Sequence, residues 1–315
     1  MLDSSLGDTR AVKRRLLTLK ALFIPLLTHP QIAQAIKYTV YAGLAVNTFF
    51  YVLDDYHAMQ SALPADASLG DLLTTFSTTI DMFAWLGLIA LFELETYALP
   101  DEAFTRRITR LLRAGRALCY LSILYAAYGY TVEAMETHAV SLVAGIDELC
   151  QVAGQALSLQ IDQIRYVEIT AANCASLSAD TRFYNLDGEI ALVGESLLPH
   201  LRLMGWLDIS NAYTWLLVVA LIEVEVWLQA EDRFASTWLL VVRSVKSLAY
   251  LVLIGNGVAW AMSDYYLYAW DAFLWIFGFW AIEFNLAYWE QERMQELAET
   301  QTAPAGAVQQ AEASV

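Results

Sequence analysis

Glu93, Glu95, Glu223, Glu225 and Glu283 stand inside runs that are otherwise apolar, as in ALIEVEVWLQ at 220–229. An ionised side chain in hydrocarbon costs on the order of 3 kcal/mol even on a lenient insertion scale, so these carboxylates are expected to face protein or water. Two chemistries fit them. In the first, Glu93, Glu223 and Glu283 point to a common axis and form a ring that strips or relays cations or protons, a poorly solvated carboxyl being a suitable proton carrier. In the second, each is neutralised in a polar clasp by a nearby Tyr and a Lys or Arg.

The spacing shows that these residues repeat. DMFAWLGLIALFELE, NAYTWLLVVALIEVE and DAFLWIFGFWAIEFN align on Asp81, Asn211 and Asp271, on Trp85, Trp215 and Trp275, and on Glu93, Glu223 and Glu283. Asn285 stands where the first two copies have Glu95 and Glu225. A second set aligns through Lys37 and Tyr41, Arg116 and Tyr120, and Lys246 and Tyr250, with Tyr51, Tyr130 and Trp260 ten residues beyond each Tyr. The basic residues and tyrosines are the clasp partners of the second chemistry. Twelve residues of helix from Asp81 to Glu93 span roughly 18 Å, past the middle of a hydrocarbon core about 30 Å thick. Glu95 is turned about 200° from Glu93, so the two carboxylates of one helix cannot share a pocket.

A further group of acids, Asp54, Asp55, Asp81, Glu133, Glu136, Asp264 and Asp271, falls at the other ends of the same runs, with His57 and His138 among them. Carboxylates with His are ligands for divalent transition metals, but acids at wet helix ends are ordinary, and no metal site is assigned. The group is expected to form an acidic mouth.

The elements that must position these residues are membrane helices. The chain has 315 residues, 58% of them hydrophobic, and a mean hydropathy of +0.44, well above a soluble domain. Runs long enough to cross a bilayer occur at about 37–56, 80–99, 117–133, 211–229, 246–263 and 270–289. The expected fold is an all-α polytopic membrane protein of six transmembrane helices, built as three repeated helical hairpins. Its domains are a basic amphipathic segment at 1–36 with a surface helix at 10–28, spans at 37–133 and 211–290, an extracytoplasmic α/β insertion at 134–210, and a largely disordered tail at 291–315.

Charge sets the orientation. Lys and Arg cluster before the first run and after the second and fourth, which places both termini in the cytoplasm. The opposite segments, 54–81, 131–211 and 263–271, hold 18 acidic and 3 basic residues, so nearly all of the net charge of −16 lies on the outer face. That field repels nucleic acid, which is not expected as a partner.

Within the insertion, Val132, Met135, Ala139, Leu142, Ile146, Leu149, Ala153 and Ala156 follow a heptad seam and predict that the third span continues as a helix. QIRYVEIT predicts a strand, TRFYNLDGEIALVG a hairpin turning at Asp187-Gly188, and residues 195–203 a short helix. Cys150 and Cys174 either pair, given an oxidising compartment, or remain free thiols.

No phosphate-binding Gly loop, paired-Cys zinc spacing or nucleophile set is present. The chain is therefore expected not to be an enzyme and to carry no cofactor. Two functions remain: a cation or proton channel or transporter using the repeated glutamates, or a non-catalytic scaffold or accessory subunit of a larger membrane complex. The expected partners are membrane lipid and either further copies of the chain or a membrane-complex partner, and the expected site is a bacterial inner membrane.

Overall fold

The computed structural model describes residues 30–95, 99–100, 104–186, 189–230 and 237–279. Glu283, Asn285, the Asp187-Gly188 turn, the surface helix at 10–28 and the tail at 291–315 lie outside the described residues. The described residues are 71% helix. Among the described residues the helices in chain order are α1 (Pro30–Ala62), α2 (Leu69–Thr75), α3 (Ser77–Glu93), α4 (Arg106–Glu136), the short α5 (Cys174–Leu177) within a sheet segment, and then α6 (Leu198–Ala230), α7 (Thr237–Met262) and α8 (266–279).

Local chemistry sets several of these boundaries. Ser68 and Asp71 form a reciprocal capping box that starts α2. Thr105 caps α4 by accepting from the Ile108 amide, ahead of the arginine-rich first turns. Each of the six predicted apolar runs begins on a described helix. Among the described residues two helices, Leu198–Glu225 and Thr237–Met262, are long and apolar enough to cross a membrane, and α2 with α3 makes a third if their 66° bend is one broken span. In α1 and α4 only sixteen uncharged residues separate Lys37 from Asp54 and Arg116 from Glu133. That is roughly 24 Å of helix, short of a hydrocarbon core of about 30 Å.

Contacts divide the chain into one unit of 1–43 with 273–315 and another of 44–272. In the smaller unit, Gly43 faces Leu274 and Gly278 faces Val40, so small residues set the approach of α1 and α8 there. In the larger unit, α3 packs on α4, α6 on α7 and α4 on α6. The closest partners thus include helices joined through the arginine-rich end, and the contacts do not single out the three predicted hairpins.

Gly205 decides the α4–α6 crossing. A Cβ there would stand 2.8 Å from Ala134 Cβ, so only glycine lets the two helices approach at this level. The crossing brings Glu133 and Asp208, one position before Ala134 and three after Gly205, to the same end of the unit.

Between α4 and α6 lies a five-stranded sheet of order β1-β4-β5-β2-β3, comprising β1 (Ser141–Leu142), β2 (Ser158–Gln160), β3 (Tyr166–Glu168), β4 (Phe183–Asn185) and β5 (Leu192–Gly194). β2 and β5 are parallel and the other pairs antiparallel. The predicted strand at 163–170 contains β3, and the predicted hairpin is β4 with β5. Its ladder closes at Asn185↔Leu192, leaving the six residues 186–191 between the strands.

The predicted heptad helix is not formed. α4 ends at Glu136, and the later seam positions fall in β1, a 3-10 turn at Leu149–Gln151 and loops. Gly145 and Gly154 adopt φ of +83° and +86°, which breaks helical continuation. The seam residues Leu149 and Ile146 instead serve a core with Val152, Leu159, Ile169, Phe183 and Leu192. Cys150 and Cys174 form a disulfide beside that core. The short helix predicted at 195–203 is the first turns of α6, continuous with the fourth apolar run. Ile190 N–H donates to the Ala62 carbonyl at 2.7 Å, tying the loop before β5 to the end of α1.

Candidate functional site

Side chains of chemical interest gather at two levels. At the arginine-rich end, the second glutamate of each described pair is clasped. Glu95 pairs with Arg116 across α3 and α4. Glu225 accepts from Arg243 at 2.8 Å and from Lys246 at 2.6 Å across α6 and α7. Arg116 and Lys246 align in the sequence, and each bonds the second glutamate of its aligned segment. In the smaller unit the third equivalent cation, Lys37, lies 5.1 Å from the Tyr38 ring centre and 6.0 Å from that of Tyr41.

Glu223 is exposed and Glu93 half-buried; the charge of Glu223 reaches the Tyr120 phenol on α4. Tyr250 packs its ring against Trp215, centroids 6.4 Å apart, and Trp215 meets Trp85 at 6.2 Å. The aromatic positions of the repeat therefore supply packing between helices. Trp275 is likewise buried.

At the sheet end, acids from six segments come together. Asp55 on α1 accepts from the Thr79 amide at 2.9 Å. Asp81 on α3 accepts from the Tyr130 hydroxyl at 3.4 Å. Asp271 on α8 accepts from Asn47 Nδ2 at 2.8 Å. Glu133 lies within electrostatic reach of Asp208, Asp55, Glu136 and Glu189, and Tyr268 within reach of Asp208, Asp55, Asp54 and Glu133. The phenol of Tyr51, 2% exposed, feels Asp271 and Asp208. Carboxylates and phenols thus form one network.

Six of the seven acids predicted for the mouth belong to this network. Asp264 does not: it adopts φ of +66° and accepts from the Tyr266 hydroxyl at 2.7 Å in an exposed turn. His57 is exposed next to Asp54, and His138 Nδ1 lies 3.0 Å from the Ala134 carbonyl. Among the described residues no three His, Cys, Asp or Glu side chains converge closely enough to hold one metal ion.

Sequence reasoning missed Asp208, Glu189 and the sheet residues that meet them. Gln163 Nε2 donates to Asp208, and its backbone N–H donates to the Tyr265 hydroxyl at 3.0 Å. Burial, helped by the neighbouring Glu136, pushes the Glu189 carboxyl up to about 7. Burial also drives the Tyr166 phenol well above its ordinary range, reinforced by Glu189, Glu133 and Asp162. For Tyr265 burial raises the phenol to about 12, against the Gln163 hydrogen bond and with Asp162. Asp208 was discoverable, being one helical turn before Asn211. Glu189 had no local signal, because only the pairing of β4 with β5 turns it toward α4.

No protein-family model, curated protein or solved structure matches the chain. The chemistry of the site therefore rests on its own geometry.

Proposed function

We propose that this is an integral membrane protein that admits cations or protons from its outer face through the acid and tyrosine network at the sheet end. The observation that carries the reading is the sign of the network: Glu133 has four carboxylates as its electrostatic neighbours, and the basic side chains closest in the fold are engaged elsewhere. An enclosed cluster of one sign concentrates counter-ions and holds protons near neutral pH. No enzymatic step or cofactor belongs to this reading.

The accompanying topology has six crossings, by α1, α2 with α3, α4, α6, α7 and the helix beginning with α8, as three related helix pairs. Recurrence of the Glu95–Arg116 bond as Glu225–Lys246 supports the internal repeat. The disulfide in the sheet segment supports an oxidising outer side, and the Lys and Arg distribution supports cytoplasmic termini in a bacterial inner membrane.

Proteoliposomes carrying the full chain test the reading. Under an imposed gradient, proton or alkali-cation flux above that of empty vesicles is expected, falling at least tenfold in Glu133→Gln and Asp208→Asn. Glu93→Gln and Glu223→Gln measure whether the first glutamates also lie in the path. Flux no higher than in empty vesicles removes the conduit reading.

The second reading is a scaffold or accessory subunit, favoured by the bonding of Glu95 and Glu225 as structural clasps. It expects a stoichiometric membrane partner, or further copies of the chain, to remain bound through purification in mild detergent.

A further inference from the structure

We propose that the junction between the sheet and the ends of α4 and α6 binds an organic ammonium ion, a ligand with a positive charge and several N–H donors. The inference rests on reading this cluster as the cation site and narrows it to a ligand class.

Three enclosed oxygens at the junction have no protein hydrogen-bond partner: Gln160 Oε1, Gln163 Oε1 and Glu189 Oε2. The amide orientations follow from chemistry. Gln163 Nε2 donates to Asp208, and Gln160 Nε2 donates to the Gln163 carbonyl at 3.4 Å, so in each the remaining atom is the acceptor. Gln160 is 6% exposed and stands directly opposite Tyr166 in the β2–β3 ladder. Side chains of such a pair share one sheet face, and the Tyr166 phenol is reached by Glu189 and Glu133. Gln160 therefore lies on the sheet face that carries Tyr166, whose phenol these carboxylates reach.

Glu189 is held by its backbone. Its N–H donates to the Leu186 carbonyl at 3.2 Å, its carbonyl accepts from Asn185 Nδ2 at 2.6 Å, and the next amide is tied to Ala62. The charges facing it come from Glu133 and Glu136 on α4, and Asp208 on α6 and Asp55 on α1 lie around Glu133. The cations of the region are occupied: Arg165 by Asp162, Arg182 by Glu195, and Arg202 by the Thr137 carbonyl at 3.0 Å. What the junction presents is acceptors and negative charge.

A metal ion would need several oxygens converging at about 2.0–2.6 Å, and no three His, Cys, Asp or Glu side chains converge in this way among the described residues. An ammonium group takes dispersed acceptors at hydrogen-bond distance and also favours aromatic faces. Those faces are adjacent: Tyr265 bonds Gln163, and its ring lies 6.0 Å from that of Tyr268, which lies 5.8 Å from Trp260.

Calorimetric titration and thermal shift of the full chain in detergent, with putrescine and spermidine as probes and Na⁺ and Ca²⁺ at matched ionic strength as controls, test the proposal. Saturable amine binding is expected, weakened at least tenfold by Gln160→Met and by Glu189→Gln. Gln160→Met removes the unpaired acceptor together with the 3.4 Å bond to the Gln163 carbonyl, so its melting temperature without ligand is read alongside; Tyr166→Phe serves as a third variant if either of the others fails to fold. No saturable amine binding, an equal response to Ca²⁺, or unchanged affinity in the folded variants overturns it. Proton or cation flux through a protein that binds no amine removes this inference and leaves the conduit reading. Amine binding without flux does the reverse.

Discussion

Glu189 shows how much one residue depends on its surroundings. Its ordinary carboxyl value of 4.5 is raised to about 7 by burial and by Glu136. The folded state therefore holds the proton more tightly than the unfolded chain does. Stability contributed by this group is fully present below about pH 4.5, declines as pH rises from there, and is lost above about 7. The total decline is on the order of 3 kcal/mol. Glu189→Gln is expected to flatten that part of the profile and raise the melting temperature at pH 8 relative to the parent, measured by thermal unfolding across pH 4–8. An unchanged profile would show that Glu189 stays ionised. The same loop geometry brings the side chain within electrostatic reach of Glu136 on α4, which the residues around it do not encode.

At the scale of elements, the clasps and the close crossing determine which helices lie side by side. Glu225 and Lys246 are each only 12% exposed in their side chains, whereas Arg243 is 50% exposed. Removing one partner of an enclosed pair leaves a charge without compensation, at a cost of roughly 3–5 kcal/mol; an exposed pair contributes about 0–1 kcal/mol. Glu225→Gln is accordingly expected to lower unfolding stability by about 3 kcal/mol and Arg243→Gln by about 1 kcal/mol or less, as read from denaturant unfolding in micelles. Equal losses in both would place the strength of the clasp in Arg243. The repeat predicted both the basic residue and the carboxylate of this bond. It did not predict which glutamate of each pair would take part. A difference of two residues turns the side chain to the opposite side of the helix, and the neighbour on that side is a tertiary fact.

For the whole molecule, the sheet segment and the helices of the larger unit form one site only because the chain returns to the same end after α4. The disulfide belongs to this scale. Closing Cys150 to Cys174, a separation of 24 residues, stabilises by about 3 kcal/mol in the loop-entropy description. Unreduced protein is expected to show a single free thiol per chain, Cys119, by alkylation and mass spectrometry under denaturing conditions. Three alkylated thiols would place the segment in a reducing compartment and reverse the proposed orientation. The sequence by itself determined the helical class, the start of each apolar run on a helix, and the positions of most of the acids that gather at the sheet end. Those are properties of spacing and local burial, carried by residues close together along the chain. The end of α4 at Glu136, the entry of Asp208 and Glu189, the exclusion of Asp264 and the choice of Glu95 and Glu225 for the clasps were decided only by the tertiary structure. Each depends on a contact between segments far apart in sequence, and neither periodicity nor composition records which distant surface a side chain will meet.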